Sequence, residues 1–485
     1  MQVSSTINDE SRHNPSKEDD TVNLIRPNVK QKIVFLLNKY FTGNSIDYKQ
    51  IIGIIIPIFV DQAFIILMSL LNTAMISSSG IAAVSAVSMV DTLNIFLINV
   101  FVAVATGGTV IVAQYKGRGN QEMVSKAASQ AISAVAILSV LISTFVIVFH
   151  MPTLNLLFGN ADAEVFNNAK IFLIGSCISY PFIAIFQAVS GVLRGVAETK
   201  ACLGLSLIMN ITYLCLNIVL ISILDMGVIG LVISMVLARI LGMVISLIYL
   251  LKYNHTLGFK IRNALRLNWS ILKKIMFIGI PFAAEQMFFN GGKLLTQTFI
   301  VQLGTIAITV NAISGSISLL FQIGGNALSI AVVTVVGQCI GRRNMEDARK
   351  FIKSFIGLST LFFVIVTIII LPLFPLIVKL FSPPEDIVPS ILALTLLISV
   401  AQPLLWSLSF IMPSALRAAG DSKYTSISSL LSMWAFRVIL GYVLGITLGF
   451  GIMGVWVAMV AEWGVRALIF GLRFKGDRWY AHKLI

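Results

Sequence analysis

The sequence predicts an all-α integral membrane protein, in which twelve transmembrane helices form two six-helix bundles related by a pseudo-two-fold axis along the membrane normal. Three observations support this prediction. Apolar segments of membrane-spanning length recur along the chain, basic residues mark every second connection, and the two halves repeat the same motifs. Because each half has an even number of spans, the two halves share one orientation in the membrane.

The composition excludes most classes of soluble protein. Hydrophobic residues occupy 57% of the 485 positions, charged residues only 12%, and the mean hydropathy is +0.92. A soluble chain of this length does not bury that much apolar surface. The net charge of +14 is therefore attributed to basic loops on one side of a membrane, and no nucleic-acid partner is expected.

The predicted spans follow from the apolar segments, since a membrane-spanning helix needs about 20 mostly apolar residues. Basic and acidic connections alternate between them, as the positive-inside rule requires when both termini are cytoplasmic. We therefore expect a multi-pass protein of the cell membrane. The segments lie near 51–76, 88–113, 128–149, 171–193, 201–224, 226–251, 272–301, 308–337, 354–381, 387–413, 424–449 and 450–473.

These spans divide the chain into five parts. Residues 1–49 are predicted to form a cytoplasmic tail, 50–251 the first bundle, 252–271 a cytoplasmic linker, 272–475 the second bundle, and 476–485 a second cytoplasmic tail. Paired bundles of this kind bind substrate between them and alternate access by rocking, so a monomer can form the whole transport path.

The internal repeat has an offset of 224 residues, the distance from Pro57 to Pro281. The matched motifs run in the same order through both halves, so chance is a poor explanation. Pro57-x-x-x-Asp61-Gln62 recurs as Pro281-x-x-x-Glu285-Gln286, and Gln114-x-x-Gly117-Arg118-x-Asn120 recurs as Gln338-x-x-Gly341-Arg342-x-Asn344.

Further motifs give the chain a family resemblance. The segments Gly191-Val-Leu-Arg194-Gly-Val-Ala-Glu-Thr-Lys200 and Ala415-Leu-Arg417-Ala-Ala-Gly-Asp421-Ser-Lys423 follow the fourth and tenth spans. Together with Val112-Ala-Gln114-Tyr-Lys-Gly117 and Val336-Gly-Gln338-Cys-Ile-Gly341, they resemble motifs of the multidrug and toxic compound extrusion (MATE) family. The resemblance covers residues 50–475.

The resemblance implies an antiporter that exports organic compounds, often lipophilic cations or other amphiphiles, against inflowing protons or sodium ions, without a bound cofactor. Two features depart from the family pattern. Asn72 stands where many members have an aspartate, and the tenth span, 387–413, contains no acidic residue. The choice between proton and sodium therefore stays open. A flippase for lipid-linked saccharides, from the same superfamily, is the alternative function.

Other mechanisms have less support in the sequence. The chain has no G-x-x-x-x-G-K-[ST] loop for ATP, and no H-E-x-x-H or G-x-S-x-G motif for an enzyme. A channel is the rival from a different class of protein. Channels use oligomeric symmetry or filter loops, and no segment is typical of a selectivity filter.

Two acidic residues are the candidates for ion coupling. Asp61 and Glu285 each lie about eleven residues into a span, near the membrane midplane, at equivalent positions of the repeat. Charged groups at this depth are costly and need a reason. A low dielectric favours the protonated form of a carboxyl group, so either residue can exchange a proton; either can equally coordinate sodium.

Polar stripes on the seventh and eighth spans predict a substrate cleft, because polar faces inside a membrane must meet a cavity or another helix. Lys293 lies in one stripe and is expected either to pair with Glu285 or Asp61, which we favour, or to meet an anionic group on the substrate. The predicted cleft residues are Gln62, Asn72, Asp91, Gln286, Asn290, Lys293, Gln297, Asn311, Ser318, Gln322 and Asn326.

Further charged residues are expected to have structural roles. The charged residues of the later spans should pair with neighbours inside the bundles, and the basic residues that follow the fourth and tenth spans should shape cytoplasmic loops. The first set is Arg239, Arg437, Glu462 and Arg466; the second is Arg194, Lys200, Arg417 and Lys423.

Overall fold

The structure is a computed structural model that describes residues 29–77, 80–158, 162–482 and 484–485. Most of the predicted N-terminal tail, residues 1–28, lies outside the described residues. Within the described ranges the regular elements are helices and helical turns. Large apolar side chains such as Leu141, Ile223 and Leu468 are exposed on the outside of the bundles, at 63%, 69% and 68%. An outer surface of this kind faces lipid in a membrane protein.

The first half contains six long helices, as predicted. The fifth continues through the π-helical turns Ile218–Ile223, and the sixth through Tyr249–Tyr253. The short helices α1 (Val29–Phe41) and α5 (His150–Phe158) lie outside this set. The six are α2 (Tyr48–Ser77), α3 (Ile81–Gly117), α4 (Gln121–Val148), α6 (Ala163–Gly195), α7 (Thr199–Asn217) and α8 (Gly227–Ile248).

The second half repeats this arrangement after the short helix α9 (Ile261–Leu265). π-Helical turns at Gln402–Ile411 join α13 and α14 into a single span, and similar turns extend α15 to Thr447. The helices are α10 (Trp269–Gln302), α11 (Thr305–Gly341), α12 (Met345–Phe381), α13 (Val388–Ala401), α14 (Met412–Ala418), α15 (Ser422–Ser432) and α16 (Gly451–Lys475).

The predicted number of spans is confirmed. Eleven helical segments of the described chain are long and apolar enough to cross a membrane. The remaining span is α10, which has 34 residues but whose apolar sequence is interrupted by Glu285, Asn290 and Lys293. Polar residues of this kind inside a span are tolerated where they face the protein interior or a cavity.

The repeated motif Gln-x-x-Gly-Arg-x-Asn forms the same turn in both halves. Its asparagine begins the next helix, because the Asn120 side chain accepts a hydrogen bond from the amide of Met123 at 3.0 Å, and Asn344 accepts one from Asp347 at 3.0 Å. These are N-caps, which satisfy amides that lack a partner in the first helical turn. The sequence repeat is therefore also a structural repeat.

The two halves meet mainly through four helices. α3 contacts both α10 and α11, and α2 contacts α11. These helices are the first, second, seventh and eighth spans. We call the side of the protein at which α3, α6, α11 and α14 end the basic side, because the connections there carry the basic residues.

Two segments outside the spans, the end of α1 and the linker between the halves, are held on the basic side by hydrogen bonds. The Lys350 ammonium donates to the Thr42 carbonyl at 2.6 Å and holds the end of α1 against α12. The side-chain amide of Gln130 donates to the carbonyls of Asn263 and Arg266 at 2.7 and 2.8 Å, which anchors the linker between the halves on α4. The linker is thus an ordered part of the fold.

Candidate transport cleft

The described residues form cavities inside the two bundles, and we name three of them, each after one charged residue. The Asp91 cavity has a volume of about 450 Å³ and belongs to the first half. The Asp61 cavity, of about 420 Å³, is lined by both halves. The Lys293 cavity, of about 630 Å³, is formed by the second half together with Asn99 of α3. Volumes of this size suit drug-sized ligands.

The structure places nearly all of the predicted cleft residues at these cavities. Asn290 is the exception, since its side-chain amide donates to the carbonyl of Gln286 at 2.9 Å, within its own helix. Gln62 lines the Asp61 cavity, and Asn72 lines the Asp91 cavity with Asp91 itself. The Lys293 cavity is lined by Gln286, Lys293, Gln297, Asn311, Ser318, Gln322 and Asn326.

Asp61 lies in a setting suited to an exchangeable ion. Its carboxyl group lies beside Ser206 and in the electrostatic field of Arg194. Its second oxygen, Oδ1, is buried without a hydrogen-bond partner among the described residues. Both Ser206 and Arg194 line the same cavity. A buried carboxylate oxygen without a partner costs free energy, which a proton or a cation would recover.

Glu285 has a different environment, although it is equivalent to Asp61 in the repeat. Its Oε2 accepts hydrogen bonds from Arg417 at 3.0 Å and from Ser426 at 2.9 Å. Glu285 is 5% exposed and Arg417 is 4% exposed. The guanidinium also stacks over the ring of Phe282, at 3.6 Å from its centre. Glu285 is therefore part of a closed ion pair, and it is not in the lining of the Asp61 cavity.

The expectation that Arg194 and Arg417 shape cytoplasmic loops is wrong, because both lie in the last turn of a span and line the Asp61 cavity. Arg417 ends the tenth span inside the protein, where it bridges the Glu285 ion pair and the Asp61 cavity. Its Nε has no hydrogen-bond partner among the described residues and is buried. The Asp61 cavity thus holds an unpartnered acceptor from the first half and an unpartnered donor from the second.

Asp91 belongs to a hydrogen-bonded network inside the first half. Asn94 donates to Asp91 at 3.1 Å and accepts a hydrogen bond from the Tyr180 hydroxyl at 2.6 Å. Arg239 donates to Ser179 at 2.5 Å and contributes an attractive charge to Asp91. Arg239 was expected to pair structurally, and the structure gives it a hydroxyl partner beside the cavity that both charged residues line. Such a network fixes the side chains that surround the cavity.

Lys293 does not form the ion pair that we favoured from the sequence. Glu285 is eight residues earlier on the same helix, about 12 Å along its axis, and is bonded to Arg417. Asp61 lines a different cavity. Among the described residues Lys293 has neither a salt bridge nor a hydrogen bond, and its ammonium lies 4.9 Å from the ring centre of Phe289.

The second half contains a further ion cluster. Glu462 accepts from Arg437 at 2.7 Å and from Arg466 at 3.3 Å, and its side chain is completely buried. The structural pairing expected for these three residues is confirmed. Arg437 also lines the Lys293 cavity, and both guanidiniums lie near the ring of Phe289, at 5.4 and 5.8 Å.

The basic end between the halves is closed by hydrogen bonds. Gln114 donates to the Ala418 carbonyl at 2.8 Å, and Gln338 donates to the Gly195 carbonyl at 3.1 Å. Thr334 adds a bond to the carbonyl of Arg194 at 2.9 Å. We call this set of contacts the basic seal. The sequence identified the two glutamines as a repeat, but it did not show that each bonds the opposite half.

Two glycines make the close approach at the basic seal possible. A Cβ atom added at Gly117 would lie 2.1 Å from the carbonyl oxygen of Gln338, and one at Gly341 would lie 1.9 Å from that of Gln114. These distances are too short for any side chain, so the backbones can meet only where glycine stands. The motif Gln-x-x-Gly therefore combines a donor with the space that lets the opposite helix approach.

The cavities lie beyond the basic seal and extend away from it. The Asp61 cavity begins beside it, at Thr109 and Val333. The Asp91 cavity continues to Ile76 and Val84, near the opposite ends of their helices. The two cavities share the lining residues Ile65, Gln187, Met209 and Asn210. The two cavities are therefore adjacent, and both lie beyond the basic seal.

Comparison with known proteins gives relatives over most of the chain. The uncharacterized transporter YisQ of Bacillus subtilis is 28% identical, over 87% of this chain and 93% of its own length. The probable multidrug resistance protein NorM of Thermotoga maritima is 26% identical, over 89% of this chain and 93% of its own. Each alignment therefore spans most of this chain and most of the relative.

Solved structures share the fold. One, described as the outward-facing conformation of a multidrug resistance MATE family transporter of the MOP superfamily, has a TM-score of 0.80 at 19% identity, covering 88% of this chain and 95% of its own. Another, described as MATE in the straight conformation, has a TM-score of 0.80 at 18% identity, with the same coverage.

A family model matches each half of the chain separately. The model, MatE, covers residues 57–223 and residues 281–443, which is more than half of the sequence. The two matches coincide with the internal repeat and contain Asp61, Glu285 and the basic seal. The chain therefore belongs to the MatE family, and it is a membrane transporter.

Proposed function

We propose that the protein exports amphiphilic organic compounds in exchange for protons or sodium ions, by alternating access between its two halves, and that Asp61 binds the exchanged ion. The observation that carries this proposal is the buried, unpartnered Oδ1 of Asp61 in a cavity that both halves line. The free energy of the Asp61 carboxyl group in that position depends on how the two halves are arranged and on whether an ion is bound. Ion binding and movement of the halves are therefore coupled.

The orientation follows from the charge of the loops. The positive-inside rule assigns the basic side to the cytoplasm, with both termini there. In that orientation the basic seal closes the cytoplasmic end, and the cavities face the exterior. The structure then corresponds to an outward-facing state. Opening the basic end would break the bonds of Gln114 and Gln338 and expose the same cavities to the cytoplasm.

Asp61 is a better candidate for the coupling site than Glu285. Both were predicted from their equivalent positions in the repeat. Glu285 already has a guanidinium and a hydroxyl as partners, so a proton or sodium ion would have to displace Arg417. Asp61 binds an ion without losing such a contact. In this proposal Glu285 holds Arg417 beside the Asp61 cavity.

Reconstitution tests the proposed activity. Purified protein in liposomes would be loaded with ethidium or calcein, two dyes of opposite charge, and proton and sodium gradients would be imposed separately. We expect one of the two gradients to drive movement of at least one dye, whereas protein-free liposomes show none. Equal dye movement with and without either gradient would contradict antiport. Current without dye exchange would indicate a channel.

A further inference from the structure

We infer that the Lys293 cavity binds the anionic group of an aromatic organic acid, with Lys293 and Arg437 as the recognition residues. This inference rests on the proposed transport function and names a substrate class for it. It differs from the family expectation of lipophilic cations. The argument uses the charges around the cavity, the state of its aromatic rings, and its volume.

The charges around the cavity have a positive excess. Lys293, Arg437 and Arg466 surround the ring of Phe289, with their charged groups 4.9, 5.4 and 5.8 Å from its centre. Glu462 is the carboxylate that pairs with this cluster. With all four side chains ionised, the cluster carries two more positive than negative charges. Like charges close together in a low dielectric repel, and an anion would relieve that repulsion.

Several hydrogen-bond donors in and beside this cluster have no acceptor among the described residues. Lys293 has no hydrogen-bond partner or ion pair among the described residues, although its three N–H groups line a cavity. The Nε of Arg466 and the indole Nε1 of Trp463 are buried without partners in the described chain. Trp463 is part of the cavity lining. A carboxylate or sulfonate oxygen is the complement of such donors.

The aromatic rings are poorly placed to hold a cationic substrate. A cation binds best over the face of an aromatic ring. Phe289 already has Lys293 and Arg437 beside it, and Phe410 has the guanidinium of Arg466 at 4.5 Å from its centre. A cationic ligand would have to displace these groups and approach their charges.

The rest of the cavity suits an aromatic body. Trp406, Phe410, Trp456 and Trp463 line it, and the volume is about 630 Å³. Aromatic walls favour stacked or edge-to-face contact with a ring system. That volume accepts a drug-sized molecule but not the long chain of a membrane lipid. We therefore assign the site to a small aromatic anion and not to a lipid headgroup.

Equilibrium binding tests this inference without any ion gradient. The probes are pyrenebutyrate, pyrenebutanol and pyrenebutylamine, which share one ring system and differ in head-group charge. Pyrene absorbs where tryptophan emits, so quenching of tryptophan emission reports binding near the tryptophans of the cavity. The protein would be held in phosphatidylcholine nanodiscs. The variants are Lys293→Met, Lys293→Arg and, as a control on the same helix, Lys273→Met, where the lysine is exposed outside the cavities.

We expect pyrenebutyrate to bind most tightly and pyrenebutylamine most weakly. Lys293→Met should weaken pyrenebutyrate about tenfold, the usual worth of a hydrogen bond to a charged group, and leave pyrenebutanol unchanged. Lys293→Arg should keep the preference, and Lys273→Met should behave as wild type. Tighter binding of the amine, equal losses for all three probes, or no binding of any probe would overturn the inference.

A lipid occupant would give a different result. Adding phosphatidylglycerol to the nanodiscs should change pyrenebutyrate binding equally in wild type and in Lys293→Met, as a general effect of surface charge. Displacement that depends on Lys293 would assign the site to a lipid headgroup and overturn the inference. If the binding result fails while gradient-driven dye exchange succeeds, only the substrate class is wrong, and the proposed function stands.

Discussion

Gln114 and Gln338 occupy equivalent positions in the two halves, and each donates a hydrogen bond to a backbone carbonyl at the end of a helix in the opposite half. The acceptors are Ala418 at 2.8 Å and Gly195 at 3.1 Å. The two bonds are thus related by the pseudo-two-fold axis of the repeat. A closed end made of two equivalent bonds can form and break as one unit when the halves rock.

The first prediction concerns Gly117, the glycine three residues after Gln114 in the repeated motif. Gly117→Ala should prevent closure of the basic end, because its Cβ would meet the carbonyl oxygen of Gln338 at 2.1 Å. A single cysteine at Val333, which lines the Asp61 cavity beside the seal and whose side chain makes none of the seal's hydrogen bonds, should then react several times faster with a membrane-impermeant maleimide from the basic side, in a chain whose four native cysteines are serine. Gly357→Ala is the matched control, since nothing lies within 4 Å of its added Cβ. Unchanged labelling in Gly117→Ala would contradict this role of the seal.

The second prediction concerns the glutamines themselves. Gln114→Ala and Gln338→Ala each remove one donor and leave a buried carbonyl unpaired, which costs about 1–3 kcal/mol in the closed state. We expect both variants to increase maleimide labelling at the same cysteine, and by similar factors because the two bonds are equivalent. If only one glutamine affects labelling, the two-fold symmetry of the seal is structural but not functional.

The fold could be predicted from the sequence because its signals are local or repeated. Apolar length defines each span, alternating basic loops define their order, and the repeat motif ends at Asn120 and Asn344, which cap the following helices. The polar stripes of α10 and α11 also predicted most of the polar residues that line the Lys293 cavity, since helical periodicity determines which residues share a face.

The partners across the bundle could not be predicted in this way. Arg417 contacts Glu285 across 132 positions of sequence, and neither residue indicates the other. The motif that contains Arg417 follows a predicted span, a position that is typical of a loop. In the structure α14 includes Arg417 and ends inside the protein. Asn290 has the periodicity of a cleft residue, yet its amide bonds the backbone of its own helix. One sequence does not show whether a basic residue after a span is buried, or whether a polar residue of a stripe faces the cleft or bonds its own helix.

The third prediction distinguishes the two repeat-related acids by stability. Glu285→Gln leaves the buried Arg417 without its counter-charge, and breaking such a pair costs about 3–5 kcal/mol. We expect a clearly lower melting temperature in detergent than for Asp61→Asn, which leaves no bonded cation behind. The double variant Glu285→Met, Arg417→Met should recover part of the loss, because no unpaired charge remains. Identical melting of Glu285→Gln and wild type would show that the pair does not hold the fold.

The central claim is that Asp61 couples the ion gradient to substrate movement, and Asp61→Asn in proteoliposomes tests it most directly. The variant keeps the shape of the side chain and removes its charge, so gradient-driven efflux should fall to background while substrate-for-substrate exchange without a gradient continues. Asp386→Asn, which changes an exposed acid outside the cavities, should behave as wild type. Gradient-driven efflux by Asp61→Asn at the wild-type rate would contradict the account.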